Sequence, residues 1–100
     1  MLEDIMQFQF AASVPMAEVR ATLRLARMAV ESLYGVDRVR LEAQCSTDDI
    51  NRGVQIGIGG RAGRALALVF AGYVRREFGP DAIDIEHVLA KPELAAGGAR

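Results

Sequence analysis

Between residues 54 and 78 the apolar pattern changes period once, and a cluster of glycines marks the change. Val54, Ile56 and Ile58 alternate with Gln55 and Gly57, the two-residue period of a strand buried on one face. Gly59, Gly60 and Gly63 follow. From about residue 60 to Phe78 the apolar residues return at helical spacing, until Gly79-Pro80 ends the helix. A strand that passes almost directly into a long helix lays that helix back across its own sheet. The chain therefore belongs to the mixed α and β folds.

The first third of the chain has the same order built from other residues. Met6, Phe8 and Phe10 share one face of a strand, and Gln7 and Gln9 occupy the other. Ser13 can cap a helix that tolerates Pro15 in its first turn, and Val19, Leu23, Ala26, Val30 and Leu33 give it an apolar stripe ending at Gly35. Val39, Leu41, Ala43 and Cys45 alternate with Arg40, Glu42 and Gln44, which predicts a second strand. The polar stretch 46–53, closing on Asn51-Arg52-Gly53, reads as a hairpin loop into the strand at 54–58. Ile83 and Ile85, set against Asp84 and Glu86, give a short last strand.

The resulting order is strand, helix, strand, strand, helix, strand. It predicts an α+β, ferredoxin-like βαββαβ two-layer sandwich: a four-stranded antiparallel sheet with two helices on one face. One hundred residues, 51% of them hydrophobic, suffice for one core. Residues 1–90 are expected to form a single domain, and 91–100, with Pro92, Ala95, Gly97 and Gly98, a disordered tail. This architecture hosts unrelated activities, so it implies none.

Composition narrows the setting. The net charge of −1 gives no general attraction to nucleic acid. A lone cysteine, Cys45, excludes an internal disulfide and suits a reducing compartment. The opening Met1-Leu2-Glu3-Asp4 is acidic where a secretory leader is basic. The longest hydrophobic run, 65–71, falls far short of the ~20 residues that span a bilayer. A cytoplasmic protein is expected.

The glycine turn has two readings. Gly57, Gly59 and Ala62 fit a relaxed G-x-G-x-x-[G/A] spacing, and a ligand site at residues 57–63 would offer Gly59 and Gly60 N–H groups, with Arg61 and Arg64, to a phosphate or another anion. A dinucleotide fold, however, needs several parallel βα units and an acidic residue on the next strand, whereas Glu77 lies on the same helix. No lysine follows the glycines as in a P-loop. The structural reading gives Gly59 and Gly60 to the tight turn, and gives Gly63, Ala67 and Ala71 to a stripe that admits a neighbouring helix.

The helices also carry surface that one sheet cannot cover. At about 100° per residue, Ala17, Ala21, Leu25 and Met28 lie opposite the core stripe of the first helix, and Leu68 lies among the arginines of the second. Ala21, Leu25, Met28 and Leu68 are thus the expected contacts of a homodimer or of a partner protein. Arg20, Arg24 and Arg27 make one flank basic, but the open sheet face would carry glutamines and acids rather than the aromatics of an RNA-binding sheet, so nucleic acid is not the expected partner. His87 alternates onto the inner side of the last strand as a structural residue, and Cys45 onto the buried side of its own. One histidine and one cysteine do not make a zinc set, Asp48 and Asp49 lack calcium-loop spacing, and no nucleophile has a base at workable spacing. The sequence thus supports a small interaction module without catalysis or cofactor. An anion sensor at 57–63 is the alternative, and an enzyme using His87 and nearby carboxylates comes third.

Overall fold

The computed structural model describes residues 3–90, so the tail expected over 91–100 lies outside the described residues. The chain runs β1 (Glu3–Phe10), α1 (Met16–Tyr34), α2 (Val36–Glu42), β2 (Cys45–Asp48), β3 (Gly53–Gly57), α3 (Arg61–Phe78), a 3₁₀ turn (Pro80–Ala82) and β4 (Ile83–Ala90). The class is α+β, as expected, with one four-stranded antiparallel sheet in the order β2-β3-β1-β4. Among the described residues there are three α-helices rather than two.

β1 is the centre of the sheet. It pairs with β3 from Ile5↔Gly57 to Gln9↔Gly53, and with β4 from Glu3↔Ala90 to Phe10↔Ile83. Alternation along β1 sends Phe8 and Phe10 to the helical side, where Phe8 lies opposite Val54 and Phe10 opposite Ile83. Val19, Ala26 and Val30 of α1, Val39 of α2, and Leu66, Phe70 and Val74 of α3 join Phe8, Val54 and Ile56 in one fully buried cluster. Phe70 stands edge-on to Phe8 at 4.9 Å between ring centres, and to Phe10 at 6.2 Å. Such pairs contribute about 0.5–1.5 kcal/mol beyond the area they bury.

Most of the predicted strand over 39–45 is not a strand: α2 runs through Glu42, and only Cys45 of that segment lies in β2. Alternation at Val39, Leu41 and Ala43 competes there with an i, i+4 pair, and tertiary packing selects the latter. Val39 and Ala43 are buried while Leu41 points into solvent. Gly35 makes this possible. Its φ of 91° turns the chain out of α1, its N–H closing that helix on the Glu31 carbonyl (2.8 Å), and α2 starts at the next residue. The second strand consequently begins at Cys45, and the hairpin loop contracts to the residues after Asp48. Gly79 repeats the device at the end of α3, with φ 89° and its N–H on the Arg75 carbonyl (3.0 Å). The last strand is longer than predicted and covers β1 along its whole length.

Candidate functional site

The start of α3 already holds a carboxylate. Glu42, the last residue of α2, accepts a hydrogen bond from the Ala62 N–H at 3.1 Å through Oε1, and one from Arg38 Nε at 2.8 Å through Oε2. Four N–H groups at a helix start lack intrahelical partners and carry partial positive charge, so this is where an anion is stabilised. The bond from the Ala62 backbone, followed by that from Arg38, lowers the Glu42 carboxyl below its ordinary value. The one-residue difference between strand and helix alternation hid this residue. Read as a strand, 39–45 puts Glu42 on the open sheet face. Read as a helix, Arg38 and Glu42 form an i, i+4 pair beside the glycine turn.

The predicted anion ligands fall around this carboxylate. A Cβ at Gly60 would stand 2.8 Å from Glu42 Oε1, so Gly60 makes room for the internal carboxylate. Gly59 faces open space, and Arg61 makes no ion pair among the described residues. Arg64 turns back on the loop, its Nε donating to the Ile58 carbonyl at 3.2 Å. Gly63 has the tightest surroundings: a Cβ there would lie 2.1 Å from the Gly57 carbonyl oxygen and 2.6 Å from that of Glu42. Its smallness therefore serves the end of β3 and the end of α2, rather than the α1–α3 contact that its spacing with Ala67 and Ala71 suggested.

The predicted contact residues are all on the surface. Leu25 is 59% exposed, Met28 56% and Leu68 72%, and Ala21 is exposed as well. They lie on the outer side of α1 and α3, the two helices that pack on each other. Thr22, on the buried side of α1, donates its hydroxyl to Glu77 Oε1 at 2.6 Å and so ties α1 to the end of α3. Arg75 and Arg76, beside Glu77 in the last turn of α3, are exposed.

The remaining candidates have structural partners. His87 lies on the helical side of β4 as its alternation requires, but it is exposed, with Nε2 3.2 Å from Asp4 Oδ1 on the neighbouring strand. Cys45 is half-buried, burial pushes its thiol up from 9.0, and Arg27 approaches its Sγ at 3.6 Å. Asp48 accepts from the Asn51 N–H (3.1 Å) and Nδ2 (2.7 Å), bonds across the hairpin turn that lower its carboxyl, while Asp49 accepts from Arg20 Nη1 through both carboxylate oxygens. Arg52, which the sequence did not single out, sits at φ 58° and donates to the carbonyls of Ala11 and Val14, bracing the β2–β3 turn against the entry to α1. Among the described residues no helix is long and apolar enough to cross a membrane. No protein-family model and no curated protein matches the chain.

Proposed function

We propose that the chain is a small cytoplasmic interaction module of ferredoxin-like type that docks, through the outer side of α1 and α3, on another protein or on a second copy of itself. The observation that carries this reading is the exposure of Leu25 and Met28 on α1 and of Leu68 on α3, the two long helices of the helical layer. Covering a leucine or methionine is worth roughly 1.5–3 kcal/mol each, enough to favour a partner over water. The ferredoxin-like assignment is supported by the sheet order β2-β3-β1-β4 and by the antiparallel sense of each pairing, with α2 as an added short helix before β2. The half-buried free thiol of Cys45 suits the cytoplasm.

The anion-sensor alternative is weaker because the Glu42 carboxylate already sits at the start of α3, bonded to the Ala62 N–H. An incoming phosphate would have to displace a carboxylate that also has Arg38. The test of the leading reading is Leu25→Glu with Met28→Glu. Both positions are exposed, so the fold should melt unchanged while contacts made through this face are lost, read as a fall in light-scattering mass or as loss of a co-purifying partner. A mass that does not fall, together with a partner that still co-purifies, would reject this face.

A further inference from the structure

The two edges of the sheet are unequal. β2 is four residues long, whereas β4 runs eight residues beside β1 with no bulge in the register from Phe10↔Ile83 to Glu3↔Ala90. Its far side has no strand neighbour among the described residues. Edge strands are usually protected by charged side chains, proline, a bulge or shortness; β4 carries Asp84 and Glu86 on its open face, but it is long and regular and has neither lysine nor proline. The backbone also shows which groups are free. The Ala11 N–H bonds to the Ala82 carbonyl, so the even residues of β4 exchange hydrogen bonds with β1, and Ile83, Ile85, His87 and Leu89 direct their N–H and C=O groups outward.

We propose that β4 pairs with the β4 of a second copy, antiparallel about a two-fold axis at His87, joining two sheets into one with the helices on the same side. Side-chain chemistry selects both the occupant and the register. A two-fold perpendicular to the sheet keeps faces matched, so each residue meets one of its own parity. Only the registers centred on Glu86 and on His87 pair most of the strand. The first sets Glu86 directly against its own copy on the open face, and like charges in that position are destabilising. The second sets Glu86 against Val88 and Asp84 against Ala90. On the helical side it lays Ile85 over Leu89, a leucine left 62% exposed in the single chain. The two His87 rings meet at the axis, each already held by its own Asp4. A register centred on Ile85 would bring Asp84 against Glu86, and one centred on Val88 would leave Ile85 without a partner.

This edge is distinct from the helix face, and its test is distinct too. In a Cys45→Ser background, His87→Cys places the two new thiols directly opposite, at about 5.5 Å between Cα atoms, within disulfide reach. Glu86→Cys places them diagonally at about 7–8 Å, beyond it. Mild oxidation should therefore convert most of the His87→Cys chain to a covalent dimer and leave the Glu86→Cys chain single. Crosslinking through position 86 instead of 87, or through neither, overturns the proposal. In light scattering the parent chain should associate, and Leu89→Lys should weaken that association at least roughly tenfold. A parent that stays monomeric at high concentration overturns it as well. The His87→Cys crosslink should persist when Leu25→Glu and Met28→Glu are added, and its loss there would show that the helix face, not the edge, holds the copies together.

Discussion

Two glycines in one helix should respond to the same substitution with opposite signs. Gly63 and Gly72 both lie inside α3, and alanine gains up to about 1 kcal/mol over glycine in a helix interior. At Gly72 a Cβ meets nothing within 4 Å, so Gly72→Ala should stabilise the protein by about 0.5–1 kcal/mol. At Gly63 the same methyl would lie 2.1 Å and 2.6 Å from two backbone oxygens that no rotamer change can move. The first turn of α3 would have to lift by about 1 Å from both β3 and α2, stretching the Glu42–Ala62 bond as it does so. Overpacking of this kind costs typically 1–3 kcal/mol and more against rigid neighbours, so about 3 kcal/mol less the helix gain leaves a net loss near 2 kcal/mol. For a domain of this size that lowers the melting midpoint by roughly 8–16 °C. Urea and thermal unfolding followed by circular dichroism, on both variants beside the parent, measure it. A Gly63→Ala protein as stable as the parent would refute the packing argument.

Other outcomes follow from the contacts described. Because the Glu42 carboxyl is lowered in the folded protein, its contribution is present above the ordinary value of 4.5 and is lost as pH falls through the folded value. Glu42→Gln should therefore unfold at lower urea than the parent at pH 7, and the gap should close on acidification. A gap that persists unchanged to pH 2 would mean that the carboxylate charge is not what holds α3. Thr22→Val keeps the shape of the α1–α3 contact but removes the donor to Glu77, and should cost about 1 kcal/mol in urea unfolding, since the carboxylate retains access to water. Phe70→Ala, at the meeting point of Phe8 and Phe10, should cost about 3–5 kcal/mol.

The elements whose pattern admits one period were legible in the sequence. β1, β3, α1 and α3 lie where alternation or helical spacing puts them, because each buries a stripe against the same core; Leu33, read into the stripe of α1, is the exception and is exposed in the last turn. The segment after Gly35 admits both periods, and only the surrounding packing, which buries Val39 and Ala43 together, decides between them. Misplacing it also hid Glu42, so neither reading of the glycine turn included the carboxylate that the chain itself supplies there. The outward side of α1 and α3 was legible because exposure follows from helix geometry once the core stripe is known. Arg52 could not have been found that way. Its role depends on a positive φ and on carbonyls some forty residues away.

The central position of β1 has a consequence for how the chain is made. β1 is synthesised well before one of its two partners, β4, the last of the described elements, whose Ala90 pairs with Glu3. Until β4 leaves the ribosome, a nascent chain can pair β1 with β3 and pack α1 and α3, but half of the backbone groups of β1 have no mate. That pairing spans nearly the whole described length, the kind of non-local contact that slows folding and exposes apolar strands while it is awaited. Phe8 and Phe10 lie on that same waiting strand. The nascent domain is therefore most vulnerable to wrong pairing just before β4 emerges, and the strand that ends this vulnerability becomes the long edge of the sheet.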